Sequence, residues 1–433
     1  MLALAAPLAI AELGWMAMGI VDTIMAGRLG AAAVGAGSLG NMLFYPTVTA
    51  GIGLLLGMDT LVAQSFGAND PQDCRRTLVN GVWLSIALTP PLTVVILSLI
   101  PLLRALGTNA HVLELFIPYF RAMSSTILML LLYTAFRRYL QAVNVVKPVT
   151  FALVSANFVN ILGNWVLMFG HWGAPAMGLE GSGWSTSIAR VYLAGVMLIS
   201  VLWHERRSGN LLFYISWRPD MARIRRLIDL GLPAAGQILF EGAVFAIVTV
   251  MAAKLDDASL AAHSIAVQVI ATTYMVPLGI SSAAAVRVGQ AVGRKDPVGA
   301  SLAGWTALLL SALFMGSAGV ALIMIPRSIV RLFIADAQVI AAGAVLLRIA
   351  AFFQLFDGFQ VVATGALRGV GDTRTPMLAH FVFYWLIGLP VAYALCFSKG
   401  WGAPGIWVGL SAALILIGAT LLMVWRSRTY HAG

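Results

Sequence analysis

Ile349–Arg368 reads IAAFFQLFDGFQVVATGALR. At about 1.5 Å of rise per residue, this apolar run makes a helix long enough to cross a bilayer. One acid, Asp357, stands at its middle, with no Lys or Arg within eight residues on either side. A carboxylate near the bilayer centre costs about 2.5–3.5 kcal/mol or more, so it is expected to face a polar cavity or a partner. Leu232–Ala253 repeats the arrangement with Glu241, and Leu2–Met25 does so with Asp22 and Glu12. These acids read as the working parts of the chain, and the remainder as the frame that holds them.

The frame is a membrane protein by composition. Of 433 residues, 60% are hydrophobic and 10% charged, with a mean hydropathy of +0.90. Soluble domains carry about 25% charged residues. Twelve apolar runs are expected to span, near 2–27, 33–58, 78–103, 112–136, 148–169, 180–203, 227–253, 259–285, 300–325, 339–366, 377–398 and 405–425. The first run has no basic residue before it and has a counterpart in the second half, so it reads as a span rather than a secretion signal. Met1 stands almost at its start, as it would if a longer natural N-terminus had been lost. Cys74, in an expected loop, and Cys396, in a span, make no metal spacing and read as free thiols.

A net charge of +10 does not indicate nucleic acid, because the basic residues sit in short loops. Eighteen of the 27 Lys and Arg fall after even-numbered spans or in the C-terminal tail, against six after odd-numbered spans. That bias puts the even loops and both termini in the cytoplasm.

The halves repeat. Phe66-Gly67-Ala68-Asn69-Asp70-Pro71 matches Val292-Gly293-Arg294-Lys295-Asp296-Pro297, and Leu140-Gln141-Ala142-Val143 matches Leu367-Arg368-Gly369-Val370. Arg28-Leu29 likewise matches Lys254-Leu255. Six spans fill one period, so both halves share an orientation, which is a parallel repeat. The expected division is 1–203, a polar linker 204–226, and 227–433. Two six-helix lobes enclosing a cleft suit a transporter. The acids break the repeat: Glu241 aligns with Trp15, Asp22 with Val248 and Asp357 with Leu130. A scaffold does not need them in both halves, which favours function for Glu241 and Asp357, and for Asp22 after them. The structural alternative is a hydrogen-bonded or salt-bridged buried acid, paired for instance with Arg190 or Arg348. Glu12 and Asp59 read as packing or interfacial residues.

A carboxylate in apolar surroundings holds a proton, a sodium ion or an organic cation, one at a time. Competition between such passengers gives exchange. Asn160 and Asn164, spaced i, i+4, share a helix face and are suited to serve Asp22. Phe352, Phe353, Phe356 and Phe359 surround Asp357 in the sequence, and aromatic rings suit flat cations. No nucleophile elbow, phosphate loop or paired metal motif is present. A membrane-embedded transferase would want Asp-rich metal motifs. A lipid-precursor flippase would want a basic cleft for its anionic head group. A channel would want a filter-like loop.

Val21-Asp22-Thr23-Ile24-Met25-Ala26-Gly27, Phe240-Glu241, Ala261-Ala262-His263, Arg287-Val288-Gly289, and Asp357 followed by Gln360-Val361-Val362-Ala363 and Leu367-Arg368-Gly369 resemble the multidrug and toxic compound extrusion (MATE) family, most closely its bacterial NorM branch. The resemblance spans nearly the whole chain. It implies an all-α fold of two six-helix lobes in a V shape, and export of small organic cations in exchange for protons or sodium ions. It implies no enzyme activity and no cofactor beyond the coupling ion, and the expected unit is a monomer in the bilayer. Asp22 with Asn160 and Asn164 match the family's N-lobe cluster. Glu241 and Asp357 match its C-lobe acids, near which a sodium ion would sit. Phe353, Gln354, Phe356 and His263 are the expected cleft lining. Some sodium-coupled members have tyrosine where this chain has Phe353, which shifts the expectation toward protons.

Overall fold

The computed structural model describes residues 1–209 and 216–430, without the side chains of 429–430. Among these residues there are helices and no strands. In chain order they are α1 (Leu2–Gly27), α2 (Ala31–Leu55), α3 (Gly57–Gly67), α4 (Pro71–Ala105), α5 (Ala110–Ser124), α6 (Ile127–Ala142), α7 (Lys147–Gly163) and α8 (Leu179–Arg207). There follow α9 (Met221–Ala252), α10 (Asp257–Gly293), α11 (Pro297–Met324), α12 (Pro326–Arg331), α13 (Ala337–Gly369), α14 (Arg374–His380), α15 (Leu389–Tyr393) and α16 (Ala403–Tyr430). Eleven helical stretches are long and apolar enough to span, and α5 with α6, bent by 43°, makes a twelfth. This is an all-α polytopic membrane protein with the expected twelve spans. Phe158 (69% exposed), Leu313 (64%) and Phe352 (73%) show why: the helices turn large apolar side chains outward, toward lipid rather than water.

The helices outrun the apolar stretches that predicted them. Asp70 and Asp296 each precede a proline and cap the next helix, accepting from the N–H of Asp73 and of Gly299. A proline is well placed in a first helical turn, where no intrahelical N–H bond is lost. The turns before them are equivalent: Asn69 and Lys295 both have φ 57. The Asp70 N–H returns to Ser65 O at 3.0 Å and that of Asp296 to Ala291 O at 2.9 Å, the six-to-one bond of a Schellman end. The sequence repeat is thus a repeat of local structure. It also corrects one reading, since Cys74 lies in the first turn of α4 rather than in a loop. Cys74 and Cys396 are free and buried. Outside the spans, the Ser259 hydroxyl and N–H hold the Asp256 carboxyl below the usual carboxylate range, which keeps that cap of α10 charged.

By contacts the chain divides into two bodies, one of Ile10–Ala235 and one of Met1–Ala9 with Gly236–Gly433. The divide falls inside α1 and α9 rather than in the polar stretch 204–226. That stretch is also shorter than its composition suggests, because α8 runs to Arg207 and α9 starts at Met221. Its residues 210–215 lie outside the described ones. Its end is tied to α4. The Trp83 indole donates to Trp217 O at 2.7 Å, the Asp220 N–H donates to Asn80 Oδ1 at 2.8 Å, and Arg223 pairs with Asp73.

Small residues let the first half of α9 lie on α2. A Cβ on Gly231 would stand 2.0 Å from Leu54 O, and one on Gly53 2.4 Å from Ala235 Cα. Backbone cannot yield as a side chain can, so Gly231→Val is expected to destabilise by about 1–3 kcal/mol or more. A lower apparent Tm of the variant in detergent checks this; an unchanged Tm contradicts the close crossing.

In the body Ile10–Ala235, Arg residues expected as loop charges are buried ion-pair members at helix ends. Arg137 pairs with Glu12, Arg138 with Asp59 at 3.3 Å, and Arg75 with Glu205 at 3.6 Å. Tyr139 also donates to Glu205. Glu12 and Asp59, expected as packing or interfacial residues, are therefore charge partners. In the repeat, Arg137 and Arg138 correspond to Thr364 and Gly365, so this layer has no counterpart in the other half.

Candidate functional site

Two polar constellations stand inside the apolar helices, one in each body. The first is centred on Asp22 of α1. Asn164 Nδ2 donates to Asp22 Oδ1 at 2.6 Å, and the Thr186 hydroxyl donates to Oδ2 at 3.2 Å. Asn164 also donates to Asn160 Oδ1 at 3.3 Å, so the i, i+4 pair is a connected unit. Both asparagines are fully buried. Asn164 opens a π-helical segment, Asn164–Met168, that continues α7. Such a widened turn re-aims side chains and recurs at functional sites. Asn164 Oδ1 has no hydrogen-bond partner among the described residues. A buried carbonyl oxygen with nothing to accept, beside a carboxylate, suits a proton donor or a small cation. Thr186 is not legible in the sequence as part of this group, since it is one hydroxyl among many on α8.

Arg190, one turn beyond Thr186, does not lock Asp22. It donates to Met123 O at 2.9 Å and reaches Thr126 Oγ1 at 3.4 Å, and its guanidinium lies 4.5 Å from the centre of the Phe44 ring. Ser187 donates to Ala122 O at 2.8 Å. These two side chains satisfy the carbonyls freed where α5 breaks from α6.

The second constellation joins α9, α13 and α14. Gln360 Nε2 donates to Asp357 Oδ1 at 3.2 Å and to Glu241 Oε1 at 3.4 Å, so one amide bridges both acids. Asp357 and Gln360 are buried and Glu241 is half-buried. His380 completes the group: its Nε2 lies 2.6 Å from Gln360 Oε1 and 3.9 Å from Glu241 Oε2. Among the described residues no Lys or Arg pairs with either acid, and Arg348 is exposed. Neither acid is therefore locked to Arg190 or Arg348; both are hydrogen-bonded to Gln360, and the imidazole of His380 is the basic group nearest Glu241. No cluster of three or more His, Cys, Asp or Glu suited to a metal occurs among the described residues. In the sequence His380 stands out only as a histidine near a span. Its place in an apolar helix is the available signal.

The expected cleft lining comes apart in the structure. At about 100° per residue, Phe352, Phe356 and Phe359 recur at i, i+4 and i+7 and share one face of α13, which lies about 100° or more around the helix from Asp357. Phe352 is 73% exposed, on the outer face. Phe353 is buried and stacked on Trp407, with ring centroids 6.1 Å apart. Half-buried Phe356 meets Phe359 edge to face at 6.1 Å. They do not form a cage around the acid. Gln354 is buried against α10, donating to Thr273 Oγ1 at 2.6 Å. His263 is buried between Trp407 and Thr249, so it and Phe353 belong to the packed interior.

The MatE family model matches residues 7–166 and again 233–394, two matches offset by the period of the internal repeat. A probable multidrug resistance protein NorM of Mesorhizobium japonicum is 37% identical over 99% of this chain and 93% of its own length. A multidrug resistance protein NorM of Burkholderia vietnamiensis is 37% identical over 98% of this chain and 92% of its own. Among solved structures, a MATE transporter in complex with MaL6 superposes with a TM-score of 0.92 at 17% identity, covering 100% of this chain and 96% of that one. A eukaryotic MATE transporter superposes at 0.88 and 18% identity, covering 100% and 97%.

Proposed function

Because the chain belongs to the MatE family of multi-pass drug-efflux transporters, we propose that it exports small organic cations in exchange for protons by alternating access. One observation carries the exchange. In each body, one constellation of acids inside apolar helices, Asp22 in one and Glu241 with Asp357 in the other, is held by neutral amides and hydroxyls, with no guanidinium or ammonium in a salt bridge to these three among the described residues. A carboxylate so held is costly to leave charged without a cation, and a proton and a substrate cation can satisfy it in turn. Exchange follows when the two compete, because an unbalanced charge opposes closing the site and a balanced one does not. Glu241, Asp357 and Asp22 are the exchanging acids in this reading, with Asn160 and Asn164 serving Asp22.

Two features support protons over sodium. Gln360 presents N–H groups, not carbonyl oxygen, to Glu241 and Asp357, and hard cations want several oxygens. At the position where some sodium-coupled members carry tyrosine, Phe353 offers no oxygen. The flippase alternative gains nothing from these sites, whose ionised groups are acids rather than the bases that an anionic head group needs. The loop charges support both termini being cytoplasmic, and bacterial relatives such as those of Mesorhizobium and Burkholderia support a bacterial-type inner membrane as the setting. In proteoliposomes, an imposed pH gradient without sodium is expected to drive uptake of a fluorescent organic cation. Transport that responds to a sodium gradient alone would overturn proton coupling.

A further inference from the structure

The body Met1–Ala9 with Gly236–Gly433 buries two histidines completely, and their hydrogen bonds differ in kind. His263 Nδ1 is 3.1 Å from the Trp407 indole nitrogen, which can only donate. The ring proton is therefore on Nε2, where it meets Thr249 Oγ1 at 3.0 Å. Every group there is satisfied with a neutral ring, so His263 is fixed in one form.

His380 is not fixed. Its Nδ1 is 2.7 Å from Pro376 O, which can only accept, so Nδ1 carries a hydrogen. Its Nε2 is 2.6 Å from one end of the Gln360 amide, whose other end meets Asp357 and Glu241. An amide has one donating end and one accepting end. Two arrangements make the contacts among Pro376, His380, Gln360 and the two acids complementary. With ionised acids, the amide NH₂ faces the carboxylates and its oxygen accepts from a protonated Nε2, so the ring is an imidazolium. With protonated acids, the amide turns over. Its oxygen accepts from the carboxylic acids, and its NH₂ donates to the bare Nε2 of a neutral ring.

We propose that His380 is a proton-carrying positioning residue of this carboxylate site, and that the turning Gln360 amide ties its charge to the charges of Glu241 and Asp357. The proposal rests on the reading that these acids exchange protons. Passing from the first arrangement to the second breaks the Nε2–H bond of His380 and forms an O–H bond on Glu241, whose Oε2 is 3.9 Å away. A second proton, taken from water, forms the O–H bond on Asp357. The site takes up one proton net and goes from one negative charge to none. His380 thus lets two acids be neutralised for each proton drawn from outside.

The other polar groups near the ring are few. Gln237 Nε2 of α9 lies 3.4 Å from Nε2 and can donate to it in the neutral form. Tyr384 follows in the π-helical segment Phe381–Gly388 that continues α14, with 5.8 Å between ring centroids. From α9 and α13 the facing charges are Glu241 and Asp357. The α16 helix, packed on α14, has no charged residue from Ala403 to Trp425.

The test is the ring-nitrogen NMR spectrum of the full chain in nanodiscs, labelled with ¹⁵N-histidine and followed from about pH 9 to 5. The His380 signal is assigned by its loss in His380→Gln. His263 is expected to keep its Nε2–H neutral form throughout. His380 is expected to lose its Nε2 proton as the acids gain theirs, the reverse of an ordinary histidine. In Gln360→Leu that inverted step is expected to vanish. In His380→Gln, pH-gradient-driven transport is expected to fall at least about tenfold while affinity for a fluorescent cation stays within about twofold. A His380 ring that keeps one form, or that gains a proton as the pH falls, overturns the proposal. If Glu241→Gln and Asp357→Asn both transport normally, the underlying reading of the acids has failed instead. The sign of the His380 step is read on the wild-type chain, and if His380→Gln does not fold, His380→Asn supplies the assignment.

Discussion

Glu241→Gln and Asp357→Asn are each expected to cut export to the level of cells lacking the protein, while the amount reaching the membrane is unchanged. Both substitutions keep the volume and hydrogen-bonding capacity of the side chain and remove its charge. If the acid binds a proton in one half of the cycle and a substrate cation in the other, the neutral isostere can do neither. Loss of a single charge-assisted interaction in a dry site is enough for a decrease of about tenfold or more, since ~1.4 kcal/mol is a factor of ten. Gln354→Leu is the matched control. Gln354 is buried on the same helix but bonds only Thr273 and Met315, and export is expected to change by less than about twofold. Drug-resistance assays with membrane levels measured in parallel check all three. Full export by both acid variants would remove these residues from the mechanism.

The largest effect on stability is expected at the Glu12–Arg137 pair, whose side chains are 10% and 7% exposed. A buried ion pair contributes little net stability compared with apolar residues of similar size, because desolvation offsets the attraction. Removing one partner is different, since it leaves the other charge buried and unpaired, at a cost of about 3–5 kcal/mol. Glu12→Met and Arg137→Met are each expected to lower the apparent Tm sharply, and the double variant to recover most of the loss. Two additive losses would show that the residues do not act as a pair. This layer is present in only one body, in place of the Thr364 and Gly365 of the other. The pairs can therefore be removed one by one without touching either acid constellation.

The physical chemistry that acts along the chain is legible in the amino-acid sequence alone. The transfer cost of apolar and charged groups acts residue by residue, and it yields the twelve spans and singles out Asp22, Glu241 and Asp357 as misfits. Turn chemistry is equally local: Asn69-Asp70-Pro71 and Lys295-Asp296-Pro297 carry the same left-handed residue, cap and first-turn proline, and so the repeat. Only the tertiary structure decides what each misfit touches. Gln360 lies 119 positions from Glu241, and Asn164 lies 142 from Asp22. Pairing over such distances depends on how each helix is rotated, and at about 100° per residue a shift of one position turns a side chain away. That is why the aromatics near Asp357 in sequence do not cage it, whereas His380 joins Gln360 and Glu241. The break between α5 and α6, the π-helical turn at Asn164 and the divide inside α1 and α9 are hidden from the sequence for the same reason. The break between α5 and α6, for one, is held by groups far away in the chain, Arg190 on the carbonyl of Met123 and Ser187 on that of Ala122.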